Sequence, residues 1–166
     1  MSSFHRWTKN LFATPFATRR RFPTHALRSI EKAIASVEAK HAGEIRFVIE
    51  TSLDLGDLWA GRTPRQRALE LFGRLGIWDT ERNNGVLIYL LMAEHDVEII
   101  ADRGIASRVS TNEWEAVCRV MEQHFREGRF PEGAVAGIEG VGALLARHFP
   151  SEGGDRNEQP NRPVLL

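Results

Sequence analysis

The stretch NNGVLIYLLMAEHDVEIIADRGI, residues 83–105, decides the fold. It reads as two strands joined by a tight turn. Surface hairpins alternate apolar and polar residues, whereas this one opens with seven apolar residues in a row, Val86 to Met92. A strand with no polar side is one covered on both faces. The second strand ends on Asp102-Arg103-Gly104, so it carries two opposite charges and a glycine to one end of the sheet.

Working outward, residues 24–41 place Leu27, Ile30, Ile34 and Val37 three and four apart, one apolar stripe of a helix that ends by Gly43. The segment EIRFVIE, 44–50, turns Ile45, Phe47 and Ile49 inward and sets Glu44, Arg46 and Glu50 on a more polar face, partly covered where Val48 interrupts it. A linker over 52–62 leads to Thr63-Pro64-Arg65-Gln66. There a capping Thr, a Pro at the first helical position and a Gln three residues on open a helix with Ala68, Leu71, Phe72 and Leu75 inward, stopping at Gly76. Past the hairpin, Ser110 and Glu113 form a second capping box, for a helix with Trp114, Val117, Cys118, Met121 and Phe125 on one face. Gly128 ends that helix. A last one runs to about His148, with Ala136 and Gly140 small enough for close approach to a neighbour. Strands alternating with helices predict a three-layer α/β/α sandwich around a small mixed sheet of three to four strands, hairpin included.

The 166 residues fit one domain. Its expected limits are 23–149, between a flexible basic arm over 1–22 and a polar, disordered tail over 150–166. Residues 1–30 hold six bases and no acid, leaving sixteen bases against twenty-two acids in the remainder. A basic arm on an acidic body is not the footprint of a nucleic-acid binder, which spreads Lys and Arg over a folded face. It suits peripheral contact with an anionic membrane through Arg19, Arg20 and Arg21, flanked by Phe12, Phe16 and Phe22. LFATPFAT is short, broken by Pro15, and followed rather than preceded by its arginines, which argues against an export signal. A single cysteine fits a reducing compartment, so a cytoplasmic location is expected.

The catalytic inventory is thin. Cys118 lies on an apolar helix face, with His rather than Arg six residues on. There is no Asp-x-Asp pair and no glycine-rich phosphate loop, and His95, His124 and His148 lack a second histidine at ligand spacing.

The segments Glu44–Glu50, Ala68–Gly76, Asn84–Leu91 and Val97–Ile105, then FREGRFPEGAVAGIEGVGALL, together resemble the TPM domain family over about residues 24–149. The resemblance implies an α/β/α sandwich. It associates the chain with an acid-phosphatase-like activity and calcium binding in some members, and with assembly or repair of membrane complexes in others. Many members end the second hairpin strand with a glycine, an aromatic residue, and a second glycine followed by an acid. Here Asp102, Arg103 and Ala106 stand in those places and only Gly104 matches.

Two readings of Asp102-Arg103 follow. Asp102 closes a turn on nearby backbone N–H groups. Alternatively, the pair forms one wall of a cleft whose other wall is the linker 52–62 and the helix start at Thr63, with Asn84 and Asp79 close by. In the second reading Gly104 takes positive φ, and Asp102, Asp79, Asp54 and Asp57 are candidate calcium ligands, since calcium takes six to eight oxygens. Two functions remain: an interaction module working with a membrane-associated complex, its partner a protein such as a membrane-anchored TPM relative; or, implied by the family resemblance alone, a metal-assisted phosphohydrolase.

Overall fold

The computed structural model describes residues 3–151, 153 and 157–166. At its centre are two parallel strands, β1 (Glu44–Glu50) and β2 (Gly85–Leu91), in register from Glu44 opposite Gly85 to Glu50 opposite Leu91. β3 (Asp96–Ala101) returns antiparallel to β2, and β4 (Val164–Leu165) pairs with β1, giving the order β3-β2-β1-β4. Every residue of β1 and β2 is buried. This accounts for the long apolar run, because both faces of β2 are covered.

On one face, Ile45, Phe47, Ile49, Ile88, Leu90 and Ile99 meet α3 (Thr24–Glu38), α7 (Thr111–Arg126) and α8 (Phe130–His148). On the other, Val48, Leu87, Tyr89, Leu91 and Ile100 meet α4 (Leu55–Trp59) and α5 (Pro64–Arg74). The three layers and the open mixed sheet are those expected. Both capping boxes form: Thr63 with Gln66 opens α5, and Ser110 with Glu113 opens α7. In α8 the closest approaches come at Gly133, Gly137 and Gly142, and the expected Gly140 is close too, where a Cβ would stand 3.1 Å from Val117. A Cβ at Gly137 would stand 2.1 Å from Met121 Sδ, and one at Gly142 2.6 Å from Val37 Cβ.

Three expectations are corrected. Instead of a flexible arm, residues 3–21 form α1 (Ser3–Phe12) and α2 (Pro15–Arg21), docked on the domain. Part of the signal is periodic, since Trp7 and Leu11 stand four apart on α1 and Trp7 packs against the α5-side core, but the polar anchors carry no such signal. Asn10, 4% exposed, accepts from Leu53 N at 2.9 Å through Oδ1 and donates to Glu94, which also accepts from Arg6 Nε at 2.8 Å. Thr18 Oγ1 and Thr51 Oγ1 are bonded at 3.1 Å, and Phe22 is buried edge-on against Phe130.

Instead of a disordered tail, residues 157–166 run along β1 and supply β4. Residues 152 and 154–156 of the expected tail lie outside the described residues. Finally, β1 has no exposed polar face: Glu44, Arg46 and Glu50 are 6%, 7% and 6% exposed.

Candidate functional site

Because β1 and β2 are parallel, the starts of both strands share one end of the sheet and their finishes share the other. β3 comes back, so its last residue, Ala101, faces Val86 at the start of β2. Asp102 therefore lies at the Glu44–Gly85 end, where its N–H donates to Gly85 O at 2.9 Å. The linker after β1 leaves from the Glu50 end. Seven residues at about 3.3 Å each put about 20 Å between the two. The expected cleft between Asp102 and the linker does not exist.

The candidate residues divide accordingly. Asp102, Arg103, Asn84 and Asp79 gather at the strand starts, whereas Thr63, Asp54 and Asp57 belong to the other end. Asp102 N-caps α6 (Arg103–Ala106), its Oδ1 accepting from Arg103 N at 2.6 Å, so the turn-closing reading is the one realised. Arg103 is exposed and reaches Asn83 Oδ1 at 3.5 Å. Gly104 does not take positive φ; Asn83 does, at 52°. Gly104 is required for space instead, since a Cβ there would stand 2.6 Å from Asn83 O. Asp79 is exposed on a turn, Thr63 caps α5, Asp54 caps α4 and Asp57 pairs with Arg62 at 2.9 Å. The four aspartates do not converge, and among the described residues no three His, Cys, Asp or Glu side chains group as metal ligands.

The strand-start end holds a polar cluster that the sequence did not single out. A cleft of about 230 Å³ is lined by Glu38, His41, Ala42, Glu44, Asn157 and Asn161. Glu38, at the end of α3, accepts from Ile45 N at 2.8 Å. Burial pushes its carboxyl up to about 8, against the pull of that bond, and neighbouring Glu44 adds to the rise. His41 is 2% exposed. Its Nδ1 accepts from Gly43 N at 3.1 Å, so Nε2 carries the proton of the neutral ring, and Nε2 has no partner among the described residues. Burial pushes the imidazole down to about 4. Near neutral pH the cleft thus holds a protonated carboxyl beside an uncharged imidazole. Arg46 Nε, Asn84 Oδ1 and Asp102 Oδ2 are likewise buried without a partner among the described residues. Next to it, a smaller hollow of about 160 Å³ is lined by Asn84, Arg82, Arg108 and His148. A signal for the cluster was present in EIRFVIE: a strand beside a seven-residue apolar run must bury its own charges as well.

At the Glu50 end, the buried charge of β1 is paired, while Asp96 at the start of β3 keeps Oδ1 buried without a partner among the described residues. Arg67 grips Glu50 through Nε and NH2 at 2.7–3.1 Å, Tyr89 OH donates to Glu50 Oε2 at 2.6 Å, and Arg67 NH1 reaches Glu70 at 3.0 Å. Beyond this network the surface turns apolar. Leu11, Phe12, Phe16, Leu55 and Trp59 are 57%, 83%, 76%, 60% and 86% exposed. Trp7 and Leu11 share one side of α1, Leu55 and Trp59 one side of α4, and the Trp7 and Trp59 rings meet edge-on at 6.2 Å. Cys118 lies in a third hollow, of about 540 Å³, between β3 and α7. Burial first, then the carboxylates of Glu122, Glu98 and Asp96, push its thiol up to about 12, which leaves no thiolate for nucleophilic chemistry.

No curated protein sequence matches the chain. Residues 22–144 match the TPM domain. Among solved structures, protein BA42 of the psychrophilic bacterium Bizionia argentinensis, determined by NMR, superposes with a TM-score of 0.76 at 31% identity, covering 86% of this chain and 93% of that one. The N-terminal domain of a protein from P. gingivalis, also determined by NMR, shares the fold at TM-score 0.57 and 21% identity, covering 71% of this chain and 74% of that one. With helix, buried strand, crossover, apolar hairpin and paired terminal helices in the expected order, the chain belongs to the TPM domain family.

Proposed function

We propose that this TPM domain is a non-catalytic interaction module that works at an anionic membrane surface, beside a membrane-associated complex. The observation that carries the reading is the exposed aromatic and aliphatic group on α1, α2 and α4. Large apolar side chains exposed together, rather than singly, mark contact surfaces. Phe16 shares its side of α2 with Arg19 and Arg20, three and four residues on, and both arginines are exposed. Around the patch, Asp57 is paired with Arg62 and Glu94 with Arg6. An apolar wedge rimmed by unneutralised arginines matches a headgroup layer with negative charge. The proposed contact is of the peripheral kind; no helix among the described residues is long and apolar enough to cross a membrane.

The test is co-sedimentation of the full chain with phosphatidylglycerol-containing vesicles and with pure phosphatidylcholine vesicles. Binding is expected to the anionic vesicles, falling as salt rises because exposed charges are screened. Phe12→Ser combined with Phe16→Ser is expected to weaken it by at least about a hundredfold, at ~1.5–3 kcal/mol per aromatic withdrawn from the apolar phase. Absence of binding to anionic vesicles even at low salt would sink the reading.

A further inference from the structure

The outer edge of β1 is a groove for an extended peptide, and we infer that residues 157–166 occupy it as a built-in ligand that a similar segment of another chain can replace. The segment follows β1 step by step, in the parallel sense. Gln159 N donates to Glu44 Oε2 at 3.1 Å, and Gln159 Nε2 to Gly76 O at 3.1 Å. Arg46 NH1 donates to Pro160 O and, at 3.4 Å, to Arg162 O. Val164 and Leu165 pair with Val48 and Ile49. Leu166 N donates to Ile49 O at 2.9 Å, and Leu166 O accepts from Thr51 N at 3.0 Å.

These contacts have the anatomy of strand-addition recognition. Main-chain bonds supply affinity, and alternating side chains entering opposite layers supply selectivity. Val164 packs into the α5-side core and Leu165 into the α3-side core. Most of the grip is on backbone: one carboxylate takes an N–H, and one guanidinium takes two carbonyls. A groove that reads backbone is not committed to a single sequence. Ordinary edge strands join a sheet by ladder bonds alone, whereas this edge devotes two buried charged side chains, Glu44 and Arg46, to holding main chain.

The ligand is therefore an extended segment of another protein with an amide side chain at the Gln159 position and two aliphatic residues five and six positions later. Proline is tolerated between them, as at Pro160 and Pro163, because Pro suits an edge strand whose N–H is not needed by the ladder. In the native chain such a ligand competes with a tethered rival at millimolar effective concentration. The inference does not depend on the membrane reading, because it rests on contacts along the edge of β1 and not on the exposed apolar residues of α1, α2 and α4.

The experiment uses the full chain, native and with Val164→Lys and Leu165→Lys together, and a fluorescent peptide spanning residues 157–166. By fluorescence anisotropy the double variant is expected to bind the peptide at least about tenfold tighter than the native chain, since its own segment no longer competes. A scrambled peptide of the same composition is expected not to bind. Failure of the folded double variant to bind the peptide, or equal binding of the scrambled one, overturns the inference. If circular dichroism shows the double variant unfolded, hydrogen exchange of the native chain decides. The Leu166 and Thr51 amides are expected to exchange at least about a hundredfold faster than those of Ile88 and Leu90, because a replaceable strand opens without global unfolding. Equal protection overturns it.

Discussion

At the Glu50 end of the β1–β2 pair, most buried charge meets its opposite: Glu50 takes Arg67 and Tyr89, and Arg67 also takes Glu70, while Asp96, opposite Leu91, keeps one buried carboxylate oxygen without a partner among the described residues. At the Glu44 end, Glu38 and His41 are held near neutrality, and His41, Arg46, Asn84 and Asp102 each keep a buried polar atom without a partner among the described residues. The same two strands run through both ends. The difference is in what covers them. A single regular helix, α5, closes the first end and brings Arg67 with it. Turns and residues 157–162 close the second, and such coverage matches polar groups less completely; residues 164–166 run on to Val48–Thr51 at the first end. The pairing at the Glu50 end is structural and lies beneath an apolar surface; the looser end has clefts and a replaceable cover.

The sharpest way to break this contrast is to truncate at the paired end. Glu50→Ala strands the Arg67 guanidinium and the Tyr89 hydroxyl. A loss of about 3–5 kcal/mol is expected from the urea midpoint, the usual result of removing one side of a buried ion pair. Replacing both charges, Glu50→Leu with Arg67→Met, is expected to recover most of it. If Glu50→Ala costs under about 1 kcal/mol, the network does not carry that end.

The next effect is in pH. Glu38 titrates at about 8 in the fold against an ordinary 4.5, so the folded state holds an extra proton between those values and stability falls as pH rises through that window. His41 titrates at about 4 against 6.5, so the folded state refuses a proton, and stability falls as pH drops through that window. The two trends oppose each other between 4.5 and 6.5, leaving Glu38 alone from 6.5 to 8. A loss on the order of 1–2 kcal/mol is expected across that last interval, at about 1.4 kcal/mol per pH unit for a whole proton. Urea midpoints at both pH values check it. Glu38→Gln is expected to flatten the fall, and an unchanged slope in that variant would assign it elsewhere.

Smaller still is the cap at the looser end. Asp102→Ala removes one bond to Arg103 N and also an unpartnered oxygen, so about 1 kcal/mol or less is expected by thermal melting. A loss as large as that of Glu50→Ala would erase the distinction between the ends. The least effect belongs to Arg19→Gln and Arg20→Gln, exposed on α2, with stability expected to stay within about 0.5 kcal/mol. Arg21→Gln is expected to cost more, because its guanidinium lies 4.7 Å from the Phe130 ring centroid.

What could be read from the residues followed the kind of signal each element carries. The apolar run of β2, the stripe of α3 and the two capping boxes are local patterns with one physical meaning, and each formed as expected. α1, α2 and β4 are held in part by polar contacts to distant residues: Asn10 to Leu53, Thr18 to Thr51, Arg46 to Pro160. No periodicity announces such bonds. The site failed for a related reason. Alternation along β3 placed Ile99 and Ile100 on opposite faces correctly, but it does not say which end of a parallel neighbour lies beside Asp102. That depends on the crossover, which sends the linker away from the hairpin's exit. Glu38 and His41 were passed over because a charged residue at a helix end and a lone histidine in a turn are ordinary in sequence.

The placement of β4 has a consequence for how the chain is born. Arg46 leaves the ribosome 116 residues ahead of Arg162, the second of the carbonyls it will hold. At ~5–20 residues per second, that is an interval on the order of ten seconds. Throughout it the outer edge of β1 is unsheltered, and an open edge invites pairing with the strands of neighbouring nascent chains. Glu44, Arg46 and Glu50 put alternating charge along that strand, which discourages such pairing until the late segment arrives. The residues that bind the finished sheet together thus serve first as guards of the unfinished one.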